Sequence, residues 1–129
     1  MKKILFLGGF LVVLAGVVVF SSSVANAIHS WGGYHWARQS NPLTLNVVDS
    51  VTSQWDSYLD TANSDWSESS VVKLTKEGGS INSTDRRRCS PVAGKIRACN
   101  STYGKNGWLG LAQIWISSGN HITQGVAKM

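Results

Sequence analysis

The feature that most constrains this chain is its N-terminal segment. Lys2 and Lys3 are followed by Ile4 to Phe20, which contains no charged or strongly polar residue, and then by Ser21-Ser22-Ser23 and Ala25-Asn26-Ala27. A positive start, an apolar stretch and small residues at −3 and −1 of a cut are what an export signal requires. The apolar stretch exceeds the roughly 7–15 residues usual for such a signal, so a retained membrane anchor is the competing reading. The Ala25-x-Ala27 pair and the polar residues before it favour cleavage between Ala27 and Ile28. The expected organisation is a signal peptide over 1–27 and a secreted, extracellular domain over 28–129. Membrane contact is then confined to the signal segment during export.

Cleavage leaves 102 of the 129 residues, enough for one compact domain and not for two. That part carries 10 of the 12 Lys and Arg residues and all 7 Asp and Glu, a formal charge of +3. So mild an excess does not mark a nucleic-acid partner, and the basic residues do not line one helix face. The only basic run, Arg86-Arg87-Arg88, sits among Ser, Asn, Asp and Gly and reads as a solvated loop. A protease-sensitive site or an anionic surface contact are its functional alternatives.

Cys89 and Cys99 are the only cysteines, with nine residues between them. An even count in an exported domain reads as a disulfide. Closing so short a loop stabilises a fold by roughly 2.5–3 kcal/mol in the chain-entropy model. Metal ligation is the alternative, but there is no Cys-x-x-Cys spacing and no histidine nearby in sequence.

Along the mature chain, His29 to Arg38 is rich in aromatics: Trp31, Tyr34 and Trp36 flank Gly32-Gly33. The segment is either a sugar-stacking platform or a terminal stretch pinned onto the core by large apolar surfaces. Leu43 to Val48 alternates apolar and polar and predicts a strand. Asp49 or Ser50 can then cap a helix. Val51, Trp55, Tyr58, Leu59 and Ala62 recur at helical spacing, with Asp56 and Asp60 on the other side, and Asn63-Ser64-Asp65 stops the helix. Its Trp55 and Tyr58 are expected to pack against a sheet. Ser70 to Thr75 predicts a second strand, closed by Gly78-Gly79. Ser80 to Gly107 reads as a long polar loop restrained by the disulfide.

Asn82-Ser83-Thr84 and Asn100-Ser101-Thr102 match the glycan-acceptor pattern, which matters only in a eukaryotic secretory route. Trp108 to Ile116 is apolar on both faces and predicts a strand covered on both sides. His121 to Met129 predicts a returning strand after the turn Ser117-Ser118-Gly119-Asn120. The elements add up to an α+β domain, a twisted mixed sheet with one long packed helix.

The chemical inventory is thin. His29, His35 and His121 do not form a His-Glu-x-x-His spacing, and no serine stands in a Gly-x-Ser-x-Gly turn. Asp56, Asp60 and Asp65 read as a solvated helix face, not an acid/base pair. His121 is expected to be a structural hydrogen-bonding residue, with a place in a cleft as the alternative. The residues alone yield no catalytic set. The chain stops at Val126-Ala127-Lys128-Met129, within the last predicted strand and without a polar tail, and so reads as cut off.

An ordered series of motifs goes further. Trp31-Gly32-Gly33-Tyr34-His35-Trp36-Ala37-Arg38 is followed by Asp65-Trp66-Ser67, the cysteine loop, Asn106-Gly107-Trp108-Leu109-Gly110-Leu111-Ala112-Gln113-Ile114-Trp115, and His121-Ile122-Thr123-Gln124-Gly125. The series resembles the N-terminal half of secreted, matrixin-like zinc metallopeptidases of the metzincin group, over most of residues 30–129. The resemblance implies an incomplete zincin-like N-terminal subdomain: a twisted, mostly parallel sheet with a packed helix and an antiparallel edge strand at Leu109 to Ile116. It further implies that an extended peptide or protein substrate pairs with the backbone near Gly110, Leu111 and Ala112, by strand addition.

The family's zinc ligands and general-base glutamate lie on a helix after the strand ending here at Met129. No residue of this chain is therefore assigned as catalytic or as a zinc ligand. Zinc belongs to the complete family domain, where it polarises the scissile carbonyl, and is not expected to be bound by this chain. Arg88-Cys89-Ser90-Pro91 faintly resembles the propeptide cysteine switch, but Cys99 offers a partner and the segment lies inside the domain. A non-catalytic secreted binding module for cell-wall sugar or a protein partner, and an inactive pseudo-protease, are the alternative functions.

Overall fold

The computed structural model describes residues 32–129. The signal segment, its cut between Ala27 and Ile28, His29 and Trp31 lie outside the described residues. Six strands and two helices give a mixed α/β fold with a mostly parallel sheet among the described residues. In chain order the elements are β1 (His35–Trp36), β2 (Leu43–Ser50), α1 (Ser53–Ser67), β3 (Val72–Gly78), α2 (Ser83–Arg88), β4 (Ile96–Cys99), β5 (Leu111–Ile116), a 3-10 turn (Ser118–Asn120) and β6 (His121–Lys128). No helix among the described residues is long and apolar enough to cross a membrane.

β2 is the centre of the sheet. It pairs in parallel with β3 on one side, Leu45 opposite Leu74, and with β4 on the other, Val47 opposite Ile96 and Ser50 opposite Cys99. Alternate side chains reach opposite faces, and a strand covered on both faces must be apolar on both. β2 obeys this: Leu45, Val47 and Val48 are all buried. β4 pairs in parallel with the C-terminal half of β6, and β1 pairs in parallel with its N-terminal end. β5 runs antiparallel along the other side of β6 and so forms the sheet edge.

One face is covered by α1. Val47, Val51, Leu59 and Ala98 make a buried cluster, with Leu74, Ile96 and Met129 packed against it. Each fully buried Val or Leu in such a cluster contributes about 1.5–3 kcal/mol. Val126 and the half-cystines lie on the opposite face, one residue out of phase with Ala98 and Ala127. The Cys89–Cys99 disulfide joins the end of α2 to the end of β4, with Cα atoms 5.9 Å apart. Cys89 has the left-handed backbone that commonly ends a helix, and both half-cystines are essentially fully buried.

Several expectations are corrected. Trp55 and Tyr58 are not in the buried core: they are 37% and 68% exposed, with their rings 5.8 Å apart. The inward face follows Leu59 and Asn63, with Asp56 and Ser67 half-buried at its ends. The helix runs past Asn63-Ser64-Asp65 to Ser67, whose hydroxyl accepts the Leu74 N–H at 2.9 Å. Neither Asp49 nor Ser50 caps it. Asp49 instead accepts the Val51 N–H, and Asn100 Oδ1 accepts the Thr52 N–H at 2.7 Å. The 80–107 segment is not one loop, since it contains α2 and β4. Arg86-Arg87-Arg88 is the last turn of α2, and two of its neighbours' carbonyls accept from Arg86.

Candidate functional site

β5 presents a strand edge with no partner strand among the described residues. It is held to β6 over Leu111 to Ile116, Leu111 opposite Lys128 and Ala112 opposite Ala127. The antiparallel direction follows from the tight turn between the two strands. Gly119 and Asn120 both adopt positive φ, 75° and 61°, a backbone most residues avoid and Gly and Asn tolerate. The Ser117 N–H donates to the His121 carbonyl at 2.8 Å, and the Thr123 hydroxyl donates to the Trp115 carbonyl at 3.2 Å. The register shift between Trp115 and Ile116 leaves Thr123 of β6 without a β5 partner, a bulge where β6 leaves the turn.

The strand is not covered on both sides, contrary to its apolar composition. Leu111 and Ile114 are half-buried, whereas Ala112, Gln113, Trp115 and Ile116 are exposed. Leu109, just before the strand, is wholly exposed. The loop that delivers Gly110 to the edge is anchored through aromatic rings. Tyr103 and Trp108 stack with centroids 5.2 Å apart, and Lys128 Nζ stands 5.7 Å from the Tyr103 ring centre. The Tyr103 hydroxyl donates to the Arg86 carbonyl at 2.9 Å, and burial pushes its pKa up against the opposing charge of Arg86. Gly110, Leu111 and Ala112 therefore lie together on an accessible edge backed by β6. An unpaired row of backbone donors and acceptors is a template for another extended chain.

The histidines, scattered in sequence, are partly gathered by the fold. His35 and His121 are register partners across β1 and β6, and their rings meet edge to face with centroids 4.8 Å apart. His35 Nδ1 donates to the Gly33 carbonyl at 2.9 Å. Trp36 lies half-buried, with its ring near the Cα of Gly125. The aromatic segment is thus attached to the sheet, although Trp31 is outside the described residues. Among the described residues no three His, Cys, Asp or Glu side chains converge as a metal would need. Two imidazoles meeting edge to face, one already donating to a carbonyl, do not fit a three-ligand catalytic zinc.

Of the predicted acidic face, Asp60 is ion-paired with Lys76, which also lies 3.7 Å from Asp49 and has its pKa raised chiefly by the Asp60 contact. Comparison with known proteins brings no relative to bear: no family model, no curated protein and no solved structure matches the chain.

Proposed function

We infer that residues 30–129 are the N-terminal, substrate-docking part of an exported, matrixin-like zinc endopeptidase, with β5 as the strand on which an extended peptide aligns. The observation that carries this reading is β5 itself. Among the described residues it is the one antiparallel strand of an otherwise parallel sheet, lies at one edge, and starts within the Gly110-Leu111-Ala112 motif. A substrate would add as a further strand, its main chain bonded to β5 and its side chains alternating between the two faces of the sheet beside the exposed Trp115 and Ile116. The chain's own residues bind and orient. Among the described residues no metal-ligating cluster is gathered, so this reading assigns the zinc chemistry to the helix that the resemblance implies.

The test has two arms. An extended peptide added to isotope-labelled protein should slow amide exchange in Gly110–Ala112 and shift those resonances first. Protein expressed from the gene's complete reading frame should hydrolyse a generic protein substrate, and a chelator should stop it. Shifts confined to other elements would overturn the docking role. A complete product without chelator-sensitive cleavage would overturn the protease reading and leave a binding module or a pseudo-protease.

A further inference from the structure

A cavity lies away from the β5 edge. It has a volume of about 650 Å³ and opens at the carboxyl ends of β2 and β4. From β2 the chain leaves through α1 towards β3, whereas from β4 it leaves the other way towards β5 and β6. In open α/β sheets such a divergence creates a crevice beyond the strand ends, the usual place for a small-molecule site. The volume falls within the roughly 300–1,000 Å³ of such sites.

The lining has a definite chemistry. Arg86 and Arg87 contribute two guanidinium groups, and Ser83, Thr84 and Thr102 contribute hydroxyls. No lining residue has an acidic side chain, Met129 lies at the rim, and among the described residues neither arginine is ion-paired to a carboxylate side chain. Arg86 is fixed in place. Its Nε donates to the Ile81 carbonyl at 2.9 Å and its Nη1 to the Asn100 carbonyl at 2.7 Å. Arg87 is exposed beside it. Trp55 forms one wall, and Tyr58, 5.8 Å from it between ring centres, extends the aromatic surface along α1. These are the two rings that sequence periodicity assigns to the core and that the fold leaves in solvent.

We propose that this cavity binds an acidic saccharide, a short oligosaccharide bearing carboxylate or sulfate groups. Each part of the lining has its use. A flat indole face packs against the apolar C–H face of a sugar ring. The hydroxyls exchange hydrogen bonds with sugar hydroxyls, as both donors and acceptors. A guanidinium recognises a carboxylate or sulfate through two parallel N–H donors. An inorganic anion uses only the arginines, and a neutral sugar only the ring and the hydroxyls. The site is separate from the β5 edge.

Calorimetric titration of the full chain tests the proposal. The probes are a uronic-acid tetrasaccharide, a sulfated tetrasaccharide of heparin type, an uncharged glucose tetrasaccharide, sodium sulfate and adenosine monophosphate. At least one acidic tetrasaccharide should bind, and the better of the two identifies the acidic group. It should bind about tenfold or more tightly than the uncharged sugar, sulfate or the nucleotide, the scale of one charge-assisted hydrogen-bond pair. Arg87→Ala should weaken it by a similar factor, and Trp55→Leu should weaken the acidic and uncharged sugars alike. Lys105→Ala, which removes an exposed cation outside the cavity, should leave affinity unchanged. Arg87 is exposed, so its truncation leaves the fold intact, and circular dichroism checks this. No binding by either acidic sugar, equal binding by sulfate alone, tighter binding by the nucleotide, or affinity untouched in Arg87→Ala would overturn the proposal.

Discussion

His35 and His121 meet edge to face across the parallel ladder between β1 and β6, with ring centroids 4.8 Å apart and planes at 87°. The contact matters because β1 is only two residues long and has two register pairs to hold it. Aromatic pairs of this kind are worth about 0.5–1.5 kcal/mol beyond buried area. His121→Ala should therefore loosen β1 more than it lowers global stability. Faster amide exchange at His35 and Trp36, with the denaturation midpoint nearly unchanged, is the expected result. Unchanged exchange at those two amides would show that the ring pair does not hold the strand.

The disulfide fixes α2 to β4 and fills part of the core face opposite α1. Replacing both cysteines with serine should lower stability by at least the roughly 2.5–3 kcal/mol expected from loop closure. The serine hydroxyls would add a desolvation cost where Cys89 and Cys99 are now almost completely buried. Urea unfolding with and without reductant measures this, and a midpoint insensitive to reductant contradicts it.

Gly79 closes over the end of β2. A Cβ at this position would lie 2.6 Å from both the Asp49 carbonyl oxygen and Ser50 Oγ, and 2.7 Å from Val48 Cγ1. All three atoms belong to the backbone or to a buried side chain and cannot swing aside. The Gly79 N–H also donates to the Asp49 carbonyl at 2.8 Å, tying the end of β3 to β2. Gly79→Ala should cost about 1–3 kcal/mol by overpacking. At Gly78 a Cβ would meet nothing within 4 Å, so Gly78→Ala serves as the control in the same thermal melts.

Asn100 spans from the end of β4 to the start of α1. Its side chain accepts the Thr52 N–H at 2.7 Å and donates to the Thr52 hydroxyl at 3.0 Å. Asn100→Ala should cost about 0.5–2 kcal/mol, the usual loss when a helix-start N–H loses its acceptor. Since both ends of the amide are engaged, Asn100 should also resist glycosylation despite its Asn-Ser-Thr context. Asn82, which accepts the Asp85 N–H and donates to Ser80 and Asp85, is held in a comparable way. Intact-mass measurement after passage through a eukaryotic secretory route checks both positions.

Glu77 has its pKa held below the ordinary glutamate value, first by the hydrogen bond from Lys95, then by that residue's charge and by Asn46. A depressed folded pKa favours folding above the unfolded value of about 4.5, and that contribution disappears as pH falls through the lower folded value. Asp85, held down by hydrogen bonds from Ser80 and Asn82, acts with the same sign. The stability difference between the wild type and Glu77→Gln should therefore be present at neutral pH and shrink below about pH 4. A gap that stays constant from pH 7 to pH 3 would rule out this linkage.

Local pattern determined much of the framework. The alternation in Leu43 to Val48, the apolar run around Val51 and Leu59, and the stretch from His121 marked β2, α1 and β6 within a few residues. The spacing of Cys89 and Cys99 was enough to pair them. These features are legible because each is set by neighbours in sequence: a repeat of two or about 3.6 residues, or a short loop that a crosslink can close.

Other features depend on partners far along the chain. β4 is four residues in a polar segment, and it becomes a strand because β2 and β6 bond it from both sides. The periodicity of α1 located the helix but could not say which stripe faces inward. Leu59 and Asn63 do so, and Trp55 and Tyr58 stand outside beside the cavity. The apolar run of β5 by itself predicted a strand covered on both faces, and only the resemblance put Leu109 to Ile116 at an edge, since exposure depends on which strands remain beside it. His35 and His121, 86 positions apart, meet only because β1 and β6 share a register. Sequence fixes what each segment can form, while long-range pairing in the sheet decides which faces are buried and which side chains come together.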